Sequence, residues 1–348
     1  MNGKQILRET LFAILSAVIG LVVVSLFTHN WNFLDLIKSF KLSYIIWAFV
    51  FMFISWLLEA YSIKLIGEML DYEISFAQAL KVFLIGGFFS RITPFDGGGG
   101  EPFQMVILSR ENAIPAGDSV AIISIKTFVG SFVRVGIFIL AILWVFIAKP
   151  DWGLSTGANI LVNVGLMITL ALFVLLLITI MKPEFAEFLA KRILNSKFLS
   201  KLLSQNARQK ALDWVGKTVK EFSSAKDKVF SEFKRNKVYF TFALSFISWG
   251  FVLFTPFVLM RGLGVISPWP QVLITTIIFY ISSAYFPTPG GSGTAEIEIF
   301  ALFTRLIPNP LIGTFIIVWR FFTHYFILLI GGITTVFNSL KKRSKPKE

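Results

Sequence analysis

Cysteine is absent from the sequence, which excludes disulfides and thiolate metal sites. Histidine is nearly absent: His29 and His324 are the only two, too few for a histidine-based metal centre. Charge is scarce as well, at 15% of residues against 55% hydrophobic, with a mean hydropathy of +0.74. That balance excludes a soluble domain and identifies a polytopic membrane protein. Acidic residues are outnumbered by basic ones, 20 to 33, for a net charge of +13. Much of the excess lies in residues 182–237 and in the tail from Lys341, which is the positive-inside pattern. No block of Lys and Arg is interleaved with base-stacking aromatics, so nucleic acid is not an expected partner.

The apolar sequence that remains is organised around two breaks. The first is Thr93-Pro94-Phe95-Asp96-Gly97-Gly98-Gly99-Gly100-Glu101-Pro102. Two prolines and four consecutive glycines cannot form an ordinary helix interior. The same feature returns as Thr288-Pro289-Gly290-Gly291-Ser292-Gly293-Thr294-Ala295-Glu296. Adding 195 to a position in the first copy gives its counterpart in the second: Thr93 to Thr288, Gly98 to Gly293, Glu101 to Glu296. Beyond the break, Arg110 maps to Arg305, Pro115 to Pro310 and Gly136 to Gly331 without a gap. An internal repeat with an interrupted helix in each half marks a transport site.

Length and charge place the spans. Lys4 and Arg8 precede an apolar run at 11–27, read as a retained first span with the N-terminus in the cytoplasm. Residues 44–63 cross back, and Glu59 near the inner end reads as interfacial. Residues 76–92 enter from the cytoplasm, turn at the glycines and return through 103–108, a re-entrant hairpin. Irregular backbone at membrane depth is tolerated only where protein or a wet cavity covers it. The long run 116–146 crosses, and 160–181 returns. Residues 182–237 carry apolar side chains at helical spacing (Phe185, Phe188, Leu189, Leu212, Val215, Val219, Phe222) between charges. They read as amphipathic cytoplasmic helices that the anionic inner leaflet attracts, or equally as a soluble cover over the membrane domain. Residues 238–260 cross, 272–286 and 295–306 form a second re-entrant hairpin from the outside, and 311–337 cross to a basic tail at 339–348. The fold class expected is therefore an all-α polytopic membrane protein forming one membrane domain over 1–348. It has about six full spans plus two re-entrant helical hairpins, in repeats 43–147 and 238–338 of inverted orientation, with both termini cytoplasmic.

Ionisable groups inside spans cost roughly 2.5–3.5 kcal/mol each on insertion scales. Here Glu101 and Glu296 follow the breaks, Glu298 comes just after, and Lys126, Arg134, Arg320 and His324 lie in the long helices beyond. Lys126 and Arg320 stand 25 and 24 residues after Glu101 and Glu296, a spacing that suggests crossed pairing about a common centre. One reading is structural, buried ion pairs locking the repeats together. The other is a polar chamber for a charged headgroup. Backbone N–H groups at Gly98, Gly99, Gly100, Gly290, Gly291 and Gly293 would face an anion, the basic residues would add charge, and the two glutamates would take an ammonium or hydroxyl. No Lys-Ser/Thr follows the first glycine run, so it is not a nucleotide loop. No cofactor, metal or activated nucleophile is implied, so no catalytic residue is assigned.

Thr93-Pro94, Gly99-Gly100-Glu101-Pro102 and Leu108-Ser109-Arg110, with Pro287-Thr288-Pro289-Gly290-Gly291-Ser292-Gly293 and Glu296, resemble the lysylphosphatidylglycerol synthase transmembrane (flippase-like) family over nearly the whole chain. The resemblance implies movement of lipids such as aminoacylated phosphatidylglycerol between leaflets of a prokaryotic cytoplasmic membrane. Some members carry a soluble domain that transfers lysine from tRNA to the lipid. The sequence stops at Glu348 with no room for one, so a stand-alone member is expected and a lysyltransferase label would be inherited by name. Gln104 stands where the resemblance implies a basic residue. The expected function is a flippase of an anionic or aminoacylated, phosphatidylglycerol-type lipid. The alternatives are a membrane-embedded lipid-modifying transferase, or a non-catalytic partner of a separate lipid synthase.

Overall fold

The computed structural model describes residues 22, 40–93, 99–148, 156–196, 205–231, 234–283, 291 and 293–343, and every regular element among them is helical. In order these are α1 (Leu42–Met69), α2 (Phe76–Ile92), α3 (Glu101–Glu111), α4 (Ala116–Ala148), α5 (Thr156–Met181), α6 (Pro183–Leu194), α7 (Gln205–Val229), α8 (Arg235–Gly262), α9 (Trp269–Ser283), α10 (Thr294–Phe303), α11 (Asn309–Arg320), a π-helical turn (Phe321–Tyr325) and α12 (Phe326–Arg343). Among the described residues four stretches are long and apolar enough to cross a membrane: Leu42–Met69, Ala116–Ala141, Arg235–Gly262 and Asn309–Leu340. The apolar stretch Leu170–Met181 of α5 falls where a further span was expected. The expected first span at 11–27, apart from Val22, the centres of both breaks (94–98, 284–290 and 292) and the tail at 344–348 lie outside the described residues.

Each break separates the arms of a helical hairpin. A reciprocal cap starts α2: the Ser75 hydroxyl accepts from the Gln78 amide, and the Gln78 side chain accepts from the Ser75 N–H at 2.8 Å. Opposite α2, α3 runs antiparallel. Phe89 stacks on Phe103 with centroids 3.5 Å apart, Gly86 lies against Gln104, and Lys81 pairs with Glu111 at 2.6 Å. Gly100 is required by closeness rather than by its torsion: a Cβ there would lie 2.1 Å from the Gly86 carbonyl oxygen. In the second hairpin Ser282 of α9 meets Glu298 of α10, and the Ser267 hydroxyl donates to the Leu306 carbonyl at 3.1 Å. Adding 195 to the Gly86–Gln104 contact gives 281 and 299, one residue from the Ser282–Glu298 contact, so the two hairpins share a register.

The hairpins are held apart by a long antiparallel crossing of α1 and α8. Lys41 N–H donates to the Gly262 carbonyl at 3.1 Å, Phe51 packs on Phe251, the hydroxyls of Ser55 and Ser248 lie 2.9 Å apart, and Lys237 reaches Glu68 at 3.7 Å. Residues 54 and 249, related by the 195-residue offset, fall at the middle of this crossing. An inverted repeat requires that arrangement, with equivalent helices antiparallel about an axis through their contact. Two apolar cores flank it. Ile66, Val82, Phe88, Leu108, Ile122 and Val129 belong to the first, and Val272, Ile299, Phe303, Phe315 and Trp319 to the second.

The charged middle segment is docked. Phe222, Ala225 and Val229 of α7 are buried in the first core. The Glu221 carboxylate accepts from the Gly117 N–H at 2.8 Å, capping α4, while Lys228 and Lys234 pair with Asp71 at 2.5 and 3.4 Å. Phe188, assigned to the apolar face in the sequence, is 53% exposed.

Candidate functional site

At mid-length of α1, α4 and α8 a cavity of about 240 Å³ opens between the repeats. Its wall holds Arg91, Lys126, Arg134 and Arg320 against Glu59 and Glu101. Trp56, Phe83, Trp249, Phe279 and Tyr280 complete much of the rest. At roughly 30 Å³ per water the space holds about eight waters, the scale of a headgroup and not of a whole lipid.

Each charge is held differently. Lys126 of α4 pairs with Glu59 of α1 at 3.7 Å and lies 5.8 Å from the Phe83 ring centre. Arg134, two turns on, lies over Trp249 of α8 at 4.8 Å. Arg91, near the end of α2, donates from Nη2 to the Thr323 carbonyl in the π turn at 3.1 Å. Glu101 opens α3, with Pro102 behind it in the first turn, where a carboxylate suits the helix dipole. Among the described residues its Oε2 is buried with no hydrogen-bond partner.

Glu296 is the opposite case. It is 2% exposed, and its Oε1 accepts from Arg320 Nε at 2.8 Å and from Tyr325 Oη at 3.3 Å. Its Oε2 accepts from the Gly293 N–H at 2.6 Å. Gly293, at φ 84°, lets the chain turn into α10 so that this carboxylate can reach back. Glu296 itself is not in the cavity wall; it meets the cavity through Arg320.

The crossed pairing expected from the 25- and 24-residue spacings does not occur. Arg320 pairs within its own repeat, and Lys126 turns to α1. The reason is geometric: a sequence separation that spans two helices and a turn does not fix which neighbouring helix a side chain faces. Glu59, read as interfacial, is a cavity residue at mid-helix. Of the expected site residues, Glu101, Lys126, Arg134 and Arg320 share the cavity. His324 does not line it; it is buried in the π turn, edge-on to Tyr325 at 5.0 Å. Gly99, Gly100, Gly291 and Gly293 lie at the breaks and outside the lining, and Gly98 and Gly290 lie outside the described residues. Gln104 also lies outside it, wedged against Gly86 between α2 and α3. The sequence reading did not pick out Arg91. A charge at the end of an apolar run, just before a break, was its one signal.

Among the described residues no group of histidine, aspartate and glutamate forms a metal site. A family model described as the lysylphosphatidylglycerol synthase TM region matches residues 13–331. A curated protein of Archaeoglobus fulgidus, known as a UPF0104 membrane protein, is 25% identical over 341 residues, covering 96% of this chain and 98% of its own.

Proposed function

The chain belongs to the lysylphosphatidylglycerol synthase transmembrane family, and on that premise we propose that it moves an anionic or aminoacylated phospholipid of phosphatidylglycerol type between the leaflets of a prokaryotic cytoplasmic membrane. The headgroup enters the cavity between the repeats while the acyl chains stay in the bilayer. The observation that carries this reading is the wall itself: Glu59, Lys126, Arg134 and Arg320 lie on stretches long enough to cross a membrane, and Arg91 and Glu101 join them from the two arms of the first hairpin. Buried cations of this kind are costly and mark substrate pathways. Arginine suits a phosphate because its planar fork offers paired donors. Glu101, with a buried oxygen that accepts nothing, takes a headgroup hydroxyl or ammonium. Rocking of the repeats about the α1–α8 crossing exposes the cavity to each leaflet in turn. Both ends of the chain and the basic α6–α7 pair lie on the cytoplasmic side, where anionic lipid attracts them.

The test is a leaflet-exposure assay with labelled phosphatidylglycerol in liposomes. Losing a charge-assisted contact of about 1.5–3 kcal/mol slows translocation about tenfold or more. Glu101→Gln, whose replaced carboxylate has no hydrogen bond among the described residues, should show that loss with an unchanged unfolding temperature. If Glu101→Gln and Arg134→Gln both translocate like wild type, the headgroup assignment is wrong. A new lipid species made by the purified protein would instead favour a transferase.

A further inference from the structure

Glu298 stands two residues after Glu296 on α10, and nothing so far gives it a role. Glu296 has three donors. Glu298 is 7% exposed, accepts one hydrogen bond from the Ser282 hydroxyl of α9, and keeps Oε2 buried without a partner. Among the described residues, the helices packed on α10 bring no counter-charge to it. On α9 the one ionisable side chain is Tyr280; on α11 it is Arg320, which is bonded to Glu296. Within α10 the other is Glu296 itself.

The repeat adds an independent observation. Subtracting 195 from 298 gives Phe103, which stacks on Phe89 across the first hairpin at 3.5 Å. One hairpin therefore packs a phenyl ring where the other packs a carboxyl group. A buried site with one hydroxyl for company, at a position where the other hairpin holds a neutral ring, disfavours an ionised carboxylate and accepts a carboxylic acid.

We propose that Glu298 is a proton-binding site that couples movement of the α9–α10 hairpin to proton uptake. The carboxyl group holds one proton while the two helices are closed on each other. When they part, it releases that proton to water and becomes a carboxylate; reclosure takes a proton back. The break between the helices carries Gly291 and Gly293, at φ 68° and 84°, positions able to absorb a hinge rotation. The coupling rests on the translocation reading above; the proton site does not.

Two measurements separate them. Infrared spectroscopy of the protein in lipid at neutral pH should show a carboxylic-acid carbonyl stretch that disappears in Glu298→Gln and persists in Ser282→Ala. Its absence from folded wild type overturns the proton site. In proteoliposomes, a gradient of one pH unit should drive up to about tenfold accumulation of labelled lipid in one leaflet. Glu298→Gln and Glu298→Phe, the latter restoring the ring of the first hairpin, should lose that response while still equilibrating lipid. Wild-type translocation indifferent to the gradient overturns the coupling. Translocation absent under every condition refutes the reading under Proposed function, and the infrared band still decides the proton site.

Discussion

The two glutamates that follow the breaks occupy corresponding positions yet do different work. Glu296 is saturated by Arg320, Tyr325 and the Gly293 amide, whereas Glu101 keeps a buried oxygen free of hydrogen bonds among the described residues. Removing one member of a buried pair strands the other charge, at about 3–5 kcal/mol. Glu296→Gln should therefore lower stability by that order, read by thermal unfolding in detergent, and Glu296→Leu with Arg320→Met should recover most of it. A Glu296→Gln protein as stable as wild type would show that the pair is not a lock. Charges such as Lys126, Arg134 and Arg320 were legible in the sequence because apolar runs make them conspicuous. Their partners were not. Lys126 meets Glu59 and Arg134 meets Trp249 across helix contacts that no spacing along the chain encodes.

At the scale of elements, proline and glycine made both breaks legible, and the shared register of the hairpins follows from the 195-residue offset. The π turn was not legible. It interrupts an apolar run whose composition does not change, and it sits where Arg320, His324 and Tyr325 gather, a common use of such turns. The docking of α7 was hidden for another reason: helical periodicity reveals an apolar face but not what covers it. Here the cover is the first core, and Asp71 anchors the end of the helix. Lys228, and after it Lys234, hold the Asp71 carboxyl below its ordinary value of 3.8. A carboxylate depressed in the folded state stabilises above its unfolded value, and that contribution fades as pH falls below about 4. The neighbouring phenol of Tyr72, which donates to Asp118, is pushed up to about 12 by burial and then by that carboxylate, so it stays neutral throughout this window. Protection factors of amides 225–229, taken against intrinsic rates at each pH, should be lower at about pH 3 than at neutral pH. Asp71→Asn should show the lower protection already at neutral pH and lose the acid dependence. Equal protection in both proteins at both pH values would remove Asp71 as the anchor.

For the whole molecule, the two repeats are not in equivalent states. α2 and α12 are shut on each other: a Cβ at Gly331 would lie 2.3 Å from the Leu84 carbonyl oxygen, and one at Gly87 would lie 2.8 Å from Ile327 Cγ1. Small residues at such contacts let helix backbones approach. Under the offset the counterparts of Gly331 and Ile327 are Gly136 and Phe132. Among the described residues a Cβ at Gly136 would meet nothing within 4 Å, and Phe132 is 50% exposed where Ile327 is 5% exposed. Under the proposed translocation, two inverted halves caught on one side should look like this, with one contact closed and its counterpart looser among the described residues. Rocking about the α1–α8 crossing leaves contacts near the axis almost still and moves those far from it. Because the sequence lacks cysteine, an introduced pair is the only pair. Phe51→Cys with Phe251→Cys, near the axis, joined by a short bis-thiol linker, should still translocate lipid. Gly87→Cys with Ile327→Cys, bridged by a disulfide, should stop translocation until a reductant is added. A bridged α2–α12 pair that translocates at the wild-type rate would mean that this contact never opens, and that the headgroup leaves the cavity by another route.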